Sequence, residues 1–262
     1  ANTTADQNSA FGYESLGANT TGTQNVAVGA SALDANTTAS QNTAVGVCAL
    51  TTNITGCHNA AVGYGSLLFN TTGNRNSAFG REAMYANTTG SENTGIGNAA
   101  LTRNTTGTVS TAVGREALCG QTTGDNNTGV GYQALKVSTT GKFNVAMGNQ
   151  ALVANTTACQ NTAVGWRSML ANTTGALNTA IGECALATNT TADNNVAVGA
   201  RALKANTTGA ANVAMGRNAM EANTTASDNT AIGTNALDSN TTGANNTAVG
   251  KSALDSNTTG TP

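Results

Sequence analysis

"NTTGALNTAIGECALATNTTADNNVAVGARALKA", residues 172–205, is two 17-residue phrases laid end to end. Aligned on Asn172 and Asn189, they share Asn-Thr-Thr, a second Asn, Ala, Gly and Ala-Leu at the same offsets, and the same phrase runs through the whole chain. The triplet starts at residues 2, 19, 36, 53, 70, 87, 104, 121, 138, 155, 172, 189, 206, 223, 240 and 257, giving fifteen complete units and a six-residue remainder. With position 1 at the first residue of the triplet, the unit reads N-T-T-G-x-x-N-T-A-V-G-x-x-A-L-x-A. No linker or change of composition interrupts residues 1–262, so the chain reads as a single repeat array without a capping domain. A period this short suits one coil of a β-solenoid.

The copies show which positions tolerate change. Position 3 is threonine in all sixteen copies, and position 4 is always Gly or Ala. Position 10 admits only Val, Ile, Phe and Met, position 15 only Leu and Met, and all five methionines fall at these two positions. That restriction reads as a packed interior at positions 10 and 15. All 24 Lys, Arg, Asp and Glu residues fall at positions 5, 6, 12, 13, 16 or 17, which therefore face water. A formal net charge of −2 with 9% charged residues leaves no basic stripe for nucleic acid and no acidic block. No apolar run is long enough to cross a bilayer, no leader is read at Ala1, and no membrane insertion is expected.

The unit is too short for a helix pair, and its fixed Gly and Thr disfavour even one helix. The expected fold is all-β, a parallel β-solenoid of about fifteen coils with two or three short strands per coil. Turns are expected at positions 4–6 and 11–13. The second is marked by a glycine in every complete unit: Gly12, Gly29, Gly46, Gly63, Gly80, Gly97, Gly114, Gly131, Gly148, Gly165, Gly182, Gly199, Gly216, Gly233 and Gly250. At roughly 4.8 Å between neighbours, fifteen coils would make a rod of about 70 Å. Two sizeable apolar groups per coil cannot order 17 residues alone, so continuous ladders and burial against other chains are expected to contribute. Position 9, alanine in thirteen units with Gly95 and Gly129 in the other two, reads either as an oligomer seam or as the lining of a thin core. The ends resemble interior units, which suggests a segment of a longer fibre or a subunit that stacks end to end.

"STAVGREAL" (110–118), "NTAVGKSAL" (246–254) and "NTAIGTNAL" (229–237) resemble the head repeats of trimeric autotransporter adhesins. They also resemble repeats of phage and giant-virus tail-fibre-like proteins. The adhesin repeat is shorter than 17 residues and builds a trimeric β-roll. The resemblance implies a self-associating fibre at a cell or virion surface.

Chemistry has little to work with. His58 is the only histidine, and no Ser-His-Asp or Cys-His set can be assembled from fixed positions, so no enzyme is expected. No cofactor and no metal is expected either, since turn acids such as Asp6, Asp125 and Asp193 are sporadic. Cys48, Cys57, Cys119, Cys159 and Cys184 show no C-x-x-C spacing and read as isolated thiols.

Tyr64, Leu68, Phe69, Trp166 and Leu170, large apolar residues at water-facing positions, form a candidate contact patch, with Phe143 a further exposed aromatic. Tyr13, Tyr64, Tyr132 and Trp166 share position 12 and would line one edge. The asparagines of positions 1 and 7 read as amide ladders between coils. The competing reading makes the triplet asparagines glycan acceptors, provided they point outward: Asn2, Asn19, Asn36, Asn53, Asn70, Asn87, Asn104, Asn155, Asn172, Asn189, Asn206, Asn223, Asn240 and Asn257, with further matches at Asn126 and Asn245. Against it, Thr123 and Thr140 persist in the units where Gln121 and Ser138 replace the asparagine.

The function expected is an extracellular structural or adhesive shaft, at a cell or virion surface, with itself and a host or cell-surface receptor as partners. The alternative is an ice-binding solenoid using a file of threonines.

Overall fold

The computed structural model describes residues 4–261. It is a parallel β-solenoid without helix, divided into two compact units, Ala1–Asn127 and Thr128–Pro262. The first unit carries β1 (Ser9–Phe11), β2 (Val26–Val28), β3 (Thr43–Val45), β4 (Ala60–Val62), β5 (Ser77–Phe79), β6 (Thr94–Ile96) and β7 (Thr111–Val113). The second carries β8 (Thr128–Val130), β9 (Val145–Met147), β10 (Thr162–Val164), β11 (Thr179–Ile181), β12 (Val196–Val198), β13 (Val213–Met215), β14 (Thr230–Ile232) and β15 (Thr247–Val249). Within each unit successive strands pair in parallel, offset by one repeat, as Thr162, Ala163 and Val164 pair with Thr179, Ala180 and Ile181. Each strand is positions 8 to 10 of its coil.

One strand per coil, not two or three, is the first correction. The "ALxANTT" side is joined from coil to coil by backbone bonds, such as Leu33 N–H to the Ala49 carbonyl at 3.0 Å and Thr20 N–H to the Thr37 carbonyl at 2.9 Å. It is not strand because the chain there repeatedly takes left-handed dihedrals. Leu or Met at position 15 has φ of 50° to 54°, and position 13 is also left-handed in every coil, as at Arg167 (φ 51°). Position 6 is left-handed too, as at Gln41 (φ 62°). Each such L-residue costs about 1–2 kcal/mol in isolation. The conformation is held because its N–H is committed to a neighbouring coil: Gln24 N–H to Asp6, Ser31 N–H to Tyr13, Leu33 N–H to Ala49.

Position 11 behaves as expected and for two reasons at once. Gly182 has φ +136°, and a Cβ there would sit 2.5 Å from the Gly199 carbonyl oxygen of the next coil. No other residue can occupy that column.

The core is as expected at position 15 and differs at position 10. Position 15 is buried, as are the alanines of positions 9 and 14: Ala180, Ala185 and Leu186 are all fully buried in one coil. Position 10 is instead turned outward, with Phe79, Ile96, Met147, Ile181 and Met215 all counted among the exposed large hydrophobics. A three-residue strand presents one parity inward, and the interior is wide enough only for alanine. Position 9 is thus core lining and not an oligomer seam. The tightness is visible at Gly95, where an added Cβ would meet Met84 Cγ at 2.9 Å. The longer Met at position 15 is matched there by a smaller residue in the next strand.

Candidate functional site

Two asparagine columns run through the interior of each unit. At position 1, Asn70 Nδ2 donates to Asn53 Oδ1 at 2.8 Å and to the Gly73 carbonyl at 3.0 Å, while its own Oδ1 accepts from Asn87 Nδ2 at 2.8 Å. At position 7, Asn42 Oδ1 accepts the backbone N–H of Asn59 at 2.9 Å, and its Nδ2 donates to the Gly56 carbonyl at 2.9 Å. The position 1 amide thus closes the bend of its own coil and joins it to both neighbours, while the position 7 amide makes both of these bonds to the next coil, the amide-ladder arrangement of stacked β structure. Neither Asn70 nor Asn42 has any exposed surface.

This corrects the glycan reading. Asn19, Asn36, Asn53, Asn70, Asn87, Asn104, Asn155, Asn172, Asn189, Asn206, Asn223 and Asn240 are all buried, at 0% to 1% exposure. The outward asparagines that reading requires are not there. Asn257 is half-buried, and Asn2 lies outside the described residues. Among the described residues only Asn126 and Asn245, at position 6, are exposed acceptor-type asparagines.

The departures from asparagine are coupled. Ser110 at position 7 is too short to span the bend, and the longer Gln121 reaches across. Its Nε2 donates to Ser110 Oγ at 3.1 Å and to Asn104 Oδ1 at 3.3 Å, and its Oε1 accepts from Asn127 Nδ2 at 3.0 Å. Ser138 has no such compensation, and its Oγ is buried without a hydrogen-bond partner.

The outer surface has two regular faces. The sheet face shows positions 8 and 10, a double file of Thr, Val, Ser and Ala beside Val, Ile, Phe and Met, with no charged residue in either file. The other is the Thr-Thr corner. There the position 2 hydroxyls donate to the position 2 carbonyl of the next coil, as Thr71 Oγ1 does to Thr88 at 3.1 Å and Thr173 to Thr190 at 3.0 Å. The position 3 threonines, such as Thr72, Thr157 and Thr174, are exposed. Among the described residues none of their hydroxyls is committed to a bond within the chain.

The aromatic candidates fall into separate places. Phe69 meets Tyr85 edge-on with ring centroids 5.0 Å apart, and the Tyr85 ring lies 3.5 Å from where a Cβ on Gly65 would be. Exposed Tyr64 and half-buried Leu68 belong to the same coil of the first unit as Phe69. Tyr85 was the member not picked out from sequence, although it shares position 16 with Leu68. Trp166 and half-buried Leu170 belong to the second unit, where the Arg167 guanidinium carbon sits 4.7 Å from the Trp166 ring centroid. Exposed Phe143 stands at position 6.

Four ion pairs lie at the surface, Arg75–Glu92 at 3.4 Å, Arg81–Glu82 at 2.9 Å, Arg115–Glu116 at 3.1 Å and Lys204–Glu221 at 3.5 Å. Such pairs are worth at most about 1 kcal/mol each. Burial, then the charges of Glu221 and Asp255 along position 16, push the Asp238 carboxyl above its ordinary value. Cys48, Cys57, Cys159 and Cys184 are free and half-buried, and Cys119 is half-buried. Among the described residues no group of three or more His, Cys, Asp or Glu is placed to hold a metal ion, and no helix is long and apolar enough to cross a membrane. Comparison with family models, curated proteins and solved structures finds no match to this chain.

Proposed function

We propose that the chain is a shaft element of an extracellular fibre that associates laterally through its sheet face. The observation that carries the reading is the outward turn of position 10. A residue set of Val, Ile, Phe and Met is kept in every coil although it lies outside the core, on a face with no charge. At about 4.8 Å per strand, eight strands present a strip roughly 40 Å long and, with about 10 Å of side-chain width, some 400 Å² of surface. Within that strip the position 10 file is apolar without interruption, and contiguous exposed apolar surface marks association sites. Variation among Val, Phe and Met in one file suits side chains that interdigitate with another chain's, since packing tolerates such swaps.

The test is sedimentation velocity of the chain and of a Val164→Lys, Ile181→Lys double variant, with the β-sheet signal as a check on folding. The wild type is expected to sediment as a multi-chain species and the variant as a folded monomer. A monomeric wild type, or a variant whose mass does not change, refutes the reading.

A second reading, ice binding, is favoured by a different observation. Position 3 is threonine in all sixteen copies, is exposed, and spends its hydroxyl on nothing within the described chain. Position 2 has an internal reason to be polar and position 3 has none. A hydroxyl file repeating once per coil is the kind of surface that orders water into a lattice. Thermal hysteresis lost on Thr157→Lys and Thr174→Lys substitution would support it, and absence of hysteresis in the wild type would end it.

A further inference from the structure

We propose that N-glycosylation and folding of this chain exclude one another at the repeated triplets, and that the folded chain offers acceptors only at Asn126 and Asn245 among its buried and exposed interior-unit asparagines. In the transfer, the asparagine Nδ2 forms a bond to the anomeric carbon of an activated sugar donor. The bond from that carbon to the donor's phosphate oxygen breaks, and one Nδ2 proton is lost. A modified Nδ2 keeps a single N–H.

At position 1 both hydrogens are already committed. Asn87 Nδ2 donates to Asn70 Oδ1 at 2.8 Å and to the Gly90 carbonyl at 2.9 Å, and Asn189 repeats this with Asn172 Oδ1 at 2.8 Å and the Ala192 carbonyl at 3.0 Å. Neither asparagine has exposed surface, so a sugar has no volume to occupy. A coil modified at its triplet therefore cannot close, and a closed coil cannot be modified.

Position 6 is the opposite case. Asn126 and Asn245 are exposed, with φ of 57° and 62° at an outward bend, and among the described residues only their backbone N–H groups are bonded, to Thr108 and Ser227. Asn245 is followed two residues later by the exposed Thr247. Sequence alone ranks all sixteen acceptors equally, and the fold separates them.

The experiment uses the full chain carrying Asn2→Gln and Asn257→Gln, a soluble N-glycosyltransferase and a nucleotide-activated hexose, with a free Asn-Thr-Thr peptide as substrate control. In one arm the folded chain meets the enzyme. In the other the chain is translated in its presence, so that acceptors are met before coils close. Site mapping by mass spectrometry is expected to find hexose only at Asn126 and Asn245 in the first arm. The second arm is expected to show hexose on several triplets and loss of the β-sheet circular dichroism signal. Hexose on a buried triplet of the folded chain overturns the proposal. So does a bare Asn126 and Asn245 while the peptide is modified. A multiply modified chain that keeps the full β-sheet signal, or triplets left bare during translation, overturns it equally.

Discussion

Replacing Asn70 with alanine tests the amide ladder where its geometry is tightest. The substitution removes two coil-to-coil bonds, Asn70 Nδ2 to Asn53 Oδ1 and Asn87 Nδ2 to Asn70 Oδ1, both 2.8 Å. The groups left behind fare unequally. The Gly73 carbonyl keeps Asn59 Nδ2 at 2.9 Å, and Asn87 Nδ2 keeps the Gly90 carbonyl at 2.9 Å. Asn53 Oδ1 loses its ladder donor in a fully buried setting. The two ladder bonds and the bond to the Gly73 carbonyl, at about 1 kcal/mol each, with one stranded acceptor at about 1–3 kcal/mol, predict a loss of roughly 4–6 kcal/mol. The assay is urea unfolding followed by circular dichroism, with Asn126→Ala as a control because that exposed side chain supports nothing. A shift below about 1 kcal/mol for Asn70→Ala, or equal shifts for the two variants, would refute a ladder that stabilises the coil.

Three further outcomes follow from particular residues. Ser138→Asn gives the buried, unpartnered position an amide that can donate to the Gly141 carbonyl and accept from Asn155, so unfolding should require about 1–2 kcal/mol more in the same urea assay. Val109 is a β-branched residue held at φ 55° on the surface, so Val109→Asn should raise the thermal midpoint by the equivalent of about 1 kcal/mol. Because Asp238 binds its proton more tightly folded than unfolded, its ionised form detracts from stability above the raised folded value, and the penalty is relieved as pH falls through that value. Asp238→Asn should therefore stabilise the chain at neutral pH, with an advantage that shrinks to nothing in titrations below the ordinary carboxylate range.

The repeat made the architecture legible, because an uninterrupted 17-residue phrase with an invariant Gly at position 11 leaves little but stacked coils. The ladder was legible too, since Gln121, Ser138 and Ser110 all keep hydrogen-bonding groups. What sequence could not supply was the strand's parity. Positions 9 and 10 alternate between Ala and a large apolar residue, and size alone argues for the larger one inside. Only the width of the coil, set by Leu186-type residues packed against two alanines, reverses that choice. The left-handed leucines at position 15 were equally hidden, because nothing in a leucine's chemistry advertises positive φ. Of the candidate contacts, Phe69 meets Tyr85, a neighbour in space that its 17-residue offset from Leu68 points to.

The central claim is that the file of large apolar residues on the sheet face is covered by another copy of the chain. Electron cryomicroscopy of the purified protein, at a resolution that shows side chains, tests it most directly. The account predicts Val164, Ile181 and their equivalents at positions 8 and 10 packed between chains, with the Thr-Thr corner left in solvent. Single chains, or assemblies in which the sheet face is bare and a different surface makes the contact, would contradict it.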